Sequence, residues 1–403
     1  MHPSTESSGT EKAVIGSTAN AMGMLAAQVI TGLALIITAR RTAVDEFGAF
    51  AAGYAISLIL GGILDFGSSQ RMTRTLAKNA ERDSFRSWLV RRSLFQAPVV
   101  LLAVAFIEVT ISPGPSAVVS LLLGMQALTY TVSLGALSAV RATISPAIAS
   151  WLAAAGNVVL LIAAVASPPG RIFMAVAAAA AVSWLISAIA GLALTRTQVG
   201  GRPWRARNPW AGSLSFGLAA VAYFESAMHV PLLAVAGTSA DAGTAAAVQR
   251  WTMPLVLLSS AYSLQIFPDV SAAPDDATAL RLLRSVWFPV VAGVFLGLGV
   301  FVLAPELVQL LLGSSYESSV IVLRLYVIAA IPVLLAQPLS VLLQARGAED
   351  VVAATSIALG LVSLLGVVAL ASVWGAVASP IMSFVYGCMM VALLGRRALA
   401  LGT

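Results

Sequence analysis

Apolar runs, each closed by a short polar or basic stretch, recur from one end of the chain to the other. They lie at 14–39, 48–67, 92–112, 115–138, 146–167, 171–195, 211–236, 244–267, 285–304, 319–343, 351–372 and 374–395. Each is close to the roughly 20 residues that a helix needs to cross about 30 Å of hydrocarbon, so the pattern predicts twelve spans. Only Ser112-Pro113-Gly114-Pro115 separates the third from the fourth, and that cluster is a turn signal. Helices are expected over a barrel, because the runs are continuous and not ten-residue alternations, and Ala and Leu dominate them. The first run is too long for a signal-peptide core, so no cleaved leader is expected.

Composition agrees. Of 403 residues, 59% are hydrophobic and 10% charged, with a mean hydropathy of +0.93. Soluble domains carry about 25% charge. An ordinary soluble protein, a nucleic-acid binder and a disordered chain are thereby excluded. The lone cysteine, Cys388, excludes an internal disulfide framework.

The net charge of +6 reads as membrane orientation. With the N-terminus in the cytoplasm, that side receives Lys12, seven basic residues in the segment from Arg71 to Arg92, Arg141, four from Arg196 to Arg207, Arg281, Arg284, Arg346, Arg396 and Arg397. Only Arg40, Arg41 and Arg171 fall outside, and Arg250 and Arg324 lie in spans. Both termini are therefore expected in the cytoplasm of a multi-pass protein of the cytoplasmic membrane.

The longest polar connection, 196–210, falls near the midpoint. It suggests an N-terminal lobe at 1–200 and a C-terminal lobe at 201–403, each with six spans. The halves share weak signals. Asp45-Glu46-Phe47-Gly48 follows the first span and Asp241-Ala242-Gly243 the seventh, while Leu137–Arg141 and Leu342–Arg346 end the fourth and tenth. Six spans per half predict parallel repeats about a pseudo-twofold along the membrane normal.

No phosphate-binding G-x-x-x-x-G-K-[ST] loop, H-E-x-x-H motif or Cys/His cluster is present in the sequence, whose only histidines are His2 and His229. Catalytic residues, a metal site and a cofactor are not expected, and neither is an enzyme.

Polar residues inside the spans need partners or water, and several share a face at 100° per residue. Ser17, Asn20, Gln28, Thr31 and Thr38 do so in the first span, and Tyr54, Ser57, Gly61, Asp65 and Ser68 in the second. Ser215, Glu225, Ser226 and His229 form a stripe in the seventh, and Arg250, Pro254, Ala261 and Gln265 in the eighth. The stripes line either a hydrated cavity between two lobes or helix–helix hydrogen bonds. Arg250, Asn20, Gln28, Tyr54 and Gln265 are the substrate-binding candidates. An arginine at this depth requires water, a carboxylate or an anionic ligand: a phosphate for its guanidinium fork, a salt bridge to Glu225, or a snorkel outward. Arg324 is expected to snorkel. Glu225 and His229, four apart on one face, form a local pair or couple transport to H⁺ or Na⁺. Asp65 ends its span at the unfavourable pole of the helix dipole, where Arg71 or Arg74 is expected to compensate it as a gate or ion pair. Pro254, Pro289, Pro332 and Pro380 are candidate bends.

Four strings resemble the multidrug/oligosaccharidyl-lipid/polysaccharide (MOP) exporter superfamily, in its polysaccharide or O-antigen flippase branch. They are Ala304-Pro305-Glu306-Leu307-Val308-Gln309-Leu310-Leu311-Leu312-Gly313-Ser314-Ser315-Tyr316 before the tenth span, Phe47-Gly48-Ala49-Phe50 with Asp65-Phe66-Gly67 around the second, Phe267-Pro268 closing the eighth, and Gln344-Ala345-Arg346-Gly347 closing the tenth. The resemblance implies two six-helix lobes that move a lipid-linked oligosaccharide outward by alternating access, driven by an ion gradient. It implies Arg250 on the substrate phosphates and Glu225 in ion coupling. Implied partners are the lipid-linked sugar, membrane lipids and glycosyltransferases or a polymerase of the same pathway, but no nucleic acid; the protein is expected to be a monomer. A drug/cation antiporter of the same superfamily and a membrane enzyme of polysaccharide assembly are the alternatives.

Overall fold

The computed structural model describes residues 5–401 except 80, 111–115, 204–207, 214–216, 218–224, 257–258, 260–262, 264–269, 271–272, 276–277, 280 and 282–286. The described residues form helices and no strand. In chain order these are α1 (Thr5–Arg40), α2 (Val44–Asp65), α3 (Ser68–Ala77), α4 (Phe85–Thr110), α5 (Ala117–Thr143), α6 (Pro146–Ala166), α7 (Ile172–Leu194), α8 (Glu225–Ala236), α9 (Ser239–Gln249), α10 (Trp287–Val302), α11 (Ala304–Leu311), α12 (Ser319–Ala345), α13 (Glu349–Trp374) and α14 (Ala378–Leu401). Seven stretches are long and apolar enough to cross a membrane, or eight if the bent pair 290–302 and 304–311 is one span. One of the seven, 349–400, is a pair of helices, α13 and α14, that fold back on each other at a turn over 375–377 and pack Val352 and Leu359 near Met390 and Leu394.

Local sequence explains the boundaries. Ser145 caps α6 on the amide of Ala147, with Pro146 following. Thr238 and Asp241 form a reciprocal capping box on α9. Gly347, at φ 78°, closes α12: its amide bonds Gln344 and the Ala348 amide bonds Leu343, the paired bonds of a Schellman ending. Pro305, in the first turn of α11, accompanies a 68° bend between α10 and α11.

Several boundaries differ from the hydropathy reading. The second span ends at Asp65, since Phe66 and Gly67 adopt positive φ and start the amphipathic helix α3. Ser68 therefore belongs to a different helix from Tyr54. Helix α4 starts at Phe85 and so takes Arg91 and Arg92 into its body. Helix α9 starts at Ser239, five residues before the eighth apolar run. Pro380 lies in the first turn of α14, where a proline removes no helical hydrogen bond and so bends nothing.

The chain divides into two compact units. One comprises 1–38, 56–110 and 114–221; the other comprises 39–55, 111–113 and 222–403. In the first, Met72 and Leu76 of α3 join Phe85, Trp88 and Leu89 of α4, Ala136 and Ala139 of α5, and Ala188 of α7 in one buried cluster. The connection after α7 is tied to the start of α4 by the bonds Arg86 N–H to Gly200 O, Gly200 N–H to Arg82 O and Arg202 N–H to Asp83 O. In the second unit, Ala336 and Leu343 of α12 pack with Val352 and Leu359 of α13 and with Met390 and Leu394 of α14. Outward faces remain apolar, with Leu94, Leu101, Phe288, Phe295, Leu365 and Val373 exposed; hydrocarbon is the solvent that suits them.

Candidate functional site

The second unit contains a buried polar chain. Glu225 opens the described part of α8, and His229 lies one turn on. The His229 ring is fully buried; its Nε2 is 2.9 Å from Glu225 Oε1 and 3.2 Å from Ser363 Oγ on α13. Its Nδ1 is 2.9 Å from Ser379 Oγ on α14, which in turn lies 2.6 Å from the Tyr326 hydroxyl on α12. Ser363 also donates to Glu225. Four helices thus supply one connected series: Glu225, Ser363, His229, Ser379 and Tyr326. Either imidazole nitrogen can carry the proton, with the other accepting one, so the series can accept and pass on a proton along its hydrogen bonds. Gly360 of α13 faces the Glu225 side chain, and a methyl group placed there would make only ordinary contact with it, 3.5 Å from Cγ.

Arg250 lies in the same unit at the end of α9, where a 3₁₀ turn over Arg250–Thr252 follows. It is eleven residues beyond Ser239, about 16 Å along the helix. Its side chain is half-buried, and its guanidinium stands 5.6 Å from the centre of the Tyr54 ring. Among the described residues no carboxylate lies within ion-pair distance of it. The expected alternative of a salt bridge to Glu225 is thus not what the geometry shows: Glu225 is engaged by His229 and Ser363. The neighbouring Gln249 instead reaches the carbonyl of Ser226 at 2.8 Å, fixing α9 beside α8. Arg324 does not simply extend outward. Its Nε donates to the Phe301 carbonyl at 3.1 Å and its guanidinium covers the Phe301 ring, satisfying an open carbonyl at the end of α10.

In the first unit, Asp65 is buried and its counter-ion is Arg92, at 2.6 Å. Arg71 and Arg74, the expected partners, are placed otherwise: Arg71 pairs with Glu81 at 3.2 Å, and Arg74 is exposed. The reason is the break at Phe66–Gly67, which turns α3 so that Ser68 and Ser69, and not the arginines beyond them, face the carboxylate. Arg92 also donates to the hydroxyls of Ser68 and Ser69 and to the Thr131 carbonyl, and stacks over Trp88 at 4.7 Å. Asn20 accepts from Ser150, and Asn157 donates to Thr31 at 3.0 Å, both between α1 and α6. Gln28 is exposed. Gln265 and Ser215 lie outside the described residues. Two of the stripe hydroxyls turn back onto their own helix, Thr31 to Ala27 and Thr38 to Ala34, and Ser68 donates to Asp65.

No protein-family model matches the sequence, and no curated protein matches it. Solved structures do. The lipid II flippase MurJ in an inward closed conformation matches with a TM-score of 0.77 and 11% identity, covering 94% of this chain and 87% of that one. The inward-facing conformation of a multidrug resistance MATE family transporter of the MOP superfamily matches with a TM-score of 0.66 and 14% identity, over 93% and 95% of the two chains. A MOP superfamily transporter from Pyrococcus furiosus, described as having a binding pocket of reversed polarity, matches with a TM-score of 0.63 and 13% identity over 97% and 96%.

The chain has the fold of MOP superfamily transporters. The fold accounts for what hydropathy alone missed. Ser363, Ser379 and Tyr326 come from three helices distant in sequence, and a lone serine in an apolar run carries no one-dimensional signal. Arg92 was legible only as part of a basic cluster. The clue that could have singled it out is the i−4 residue Trp88, which puts an aromatic ring on the same helix face as that one arginine.

Proposed function

We propose that this MOP-fold protein is a flippase for a lipid-linked oligosaccharide or related polysaccharide precursor. It would work by alternating access of two six-span lobes, 1–200 and 201–403, with both termini in the cytoplasm. The observation that carries this reading is Arg250, a half-buried cation within the eighth apolar run, over an aromatic ring, with no carboxylate partner among the described residues. A cation so placed is costly without an anion, and a guanidinium forks onto phosphate oxygens. The sugar–phosphate head is the part of the substrate that cannot cross hydrocarbon unaided. Arg250 and Tyr54 form the proposed head-binding pair. Asn20 is engaged by Ser150 and Gln28 is exposed, so the proposal does not rest on them.

Glu225 and His229 are the proposed coupling pair, with H⁺ favoured over Na⁺. Imidazole nitrogen is a poor ligand for a hard alkali cation and a good proton carrier. Moving one charge across 100 mV is worth about 2.3 kcal/mol, enough to bias two states. No cofactor is required by this scheme, and glycosyltransferases or a polymerase of the same pathway are its natural partners. The cation-antiporter reading draws on the same buried Glu225 and on the likeness to multidrug transporters. Against it, Asp65 is already neutralised by Arg92 and is not free to hold a cationic drug.

The test is loss of the gene followed by analysis of both membrane leaflets. Glycolipid accumulating on the cytoplasmic side supports the flippase; unchanged glycolipid with raised drug sensitivity sinks it in favour of the antiporter. Complementation with Arg250→Ala should fail although the protein reaches the membrane in normal amount, whereas Arg324→Ala should restore export at least in part.

A further inference from the structure

An open groove of about 370 Å³ lies in the first unit between the start of α4 and the end of α7, lined by Arg86, Leu89, Val90, Leu192, Ala193 and Arg196. Its two polar side chains are both arginines. Arg86 spends one N–H on the Arg196 carbonyl, at 3.0 Å, which holds the two residues together. A guanidinium has five donors, so that bond leaves most of Arg86 available. Arg196 is exposed.

The apolar wall continues along both helices. One turn further from the arginines, Leu94 on α4 is 69% exposed and Ile189 on α7 is 58% exposed. The groove therefore has a cationic end and an apolar runway leading from it. A molecule that matches has a negative head and a hydrocarbon tail. The lining offers no amide, hydroxyl or carboxylate side chain to read sugar hydroxyls, so recognition of the head rests on its phosphodiester and net negative charge.

We propose that this groove is a binding site for one anionic glycerophospholipid of the cytoplasmic leaflet. Its phosphate lies between Arg86 and Arg196, and an acyl chain follows Val90 and Leu94 along α4. The site is separate from Arg250 and independent of which molecule is transported. Bound lipid would cross-link the beginning of one helix to the end of another, and would stabilise this unit in membranes rich in anionic lipid.

The full chain, purified in detergent and equilibrated with equal amounts of phosphatidylglycerol and phosphatidylcholine, is examined by native mass spectrometry. The wild type should retain one phosphatidylglycerol selectively. The double variant Arg86→Gln/Arg196→Gln should bind it about thirtyfold more weakly. Ala193→Trp, which fills the groove and leaves both arginines, should also release it. Arg202→Gln removes an exposed arginine of the same connection that pairs with Asp83, and it should retain the lipid. Thermal unfolding of each variant with and without phosphatidylglycerol separates lost binding from lost folding, since only binding-competent protein is shifted upward by the lipid. Equal retention by the double variant, or equal loss in all variants including Arg202→Gln, would overturn the site. So would a dimer whose interface Ala193→Trp disrupts, or equal retention of phosphatidylcholine by the wild type. Transport is not read at any step, so failure here leaves the flippase reading standing.

Discussion

Two buried side-chain networks differ in kind. The Asp65–Arg92 pair is held from several sides: the carboxylate meets a guanidinium and two serine hydroxyls, and the guanidinium meets a backbone carbonyl and an indole face, while its Nε has no hydrogen-bond partner among the described residues. Such a pair contributes little relative to an apolar replacement, yet removing one member strands the other and costs about 3–5 kcal/mol. Arg92→Met should therefore lower the unfolding temperature in detergent markedly, and Asp65→Asn on that background should recover part of the loss. An unchanged melting temperature for Arg92→Met would remove the pair from the stabilising interactions. Gly135 belongs to the same environment, because a methyl group there would stand 2.6 Å from the Arg92 guanidinium. The Glu225–His229–Ser379–Tyr326 series is different: its imidazole and hydroxyls can each donate or accept in more than one arrangement. We expect Glu225→Gln to reduce the dependence of glycolipid export on the proton gradient while leaving protein levels normal. Export that responds to an imposed gradient as in the wild type would end the coupling proposal. The Glu–His spacing was legible in the sequence because four residues make one helical turn. The serines and the tyrosine that complete the series were not, since tertiary packing brings them there.

At the level of elements, the most constrained contact is a crossing of α2 and α9. A methyl group on Gly48 would overlap the carbonyl oxygen of Ser239 and lie 2.6 Å from the Gly243 amide nitrogen. A methyl group on Gly243 would overlap the carbonyl of Val44 and lie 3.1 Å from the Gly48 amide. Each glycine thus meets the other and the residue four before it, so the contact is reciprocal. Close backbone approach through small residues is how helices associate where no hydrophobic effect drives them together. Gly48→Val or Gly243→Val should each lower yield and melting temperature. Gly299→Ala on α10, where no atom lies within 4 Å of the added methyl, should be neutral or slightly stabilising; equal behaviour of all three would show that the crossing carries no energy. These glycines fall in the two strings whose likeness suggested duplication, Phe47-Gly48 and Ala242-Gly243. The sequence singled out the strings, but it did not say that they touch.

For the whole molecule, the arrangement of arginines predicts topology. In a Cys388→Ser background, single cysteines at Ser84, Gly201 and Gly347 should react with an impermeant maleimide only after the membrane is breached, and cysteines at Thr42, Pro168 and Thr238 should react in intact cells. Any exchange between the two sets would break the twelve-span alternation. The sequence by itself determined that the chain is a helical membrane protein. Apolar run length and the scarcity of charge are properties of composition, and a bilayer reads them without reference to tertiary contacts. Local sequence also sets the helix boundaries at Ser145, Thr238, Pro305 and Gly347, because caps and proline act within a few residues, although the hydropathy pattern placed the boundary near Thr238 several residues later. Only the tertiary structure decided which charge faces which. Asp65 chose Arg92 over the nearer Arg71 because a positive-φ break at Phe66–Gly67 redirects the chain, and Arg250 stands over Tyr54 because two segments about 195 residues apart in sequence meet in one unit. Ionic pairing in a low-dielectric interior depends on distance through space, and that distance is set by the packing of helices that sequence periodicity leaves unpaired.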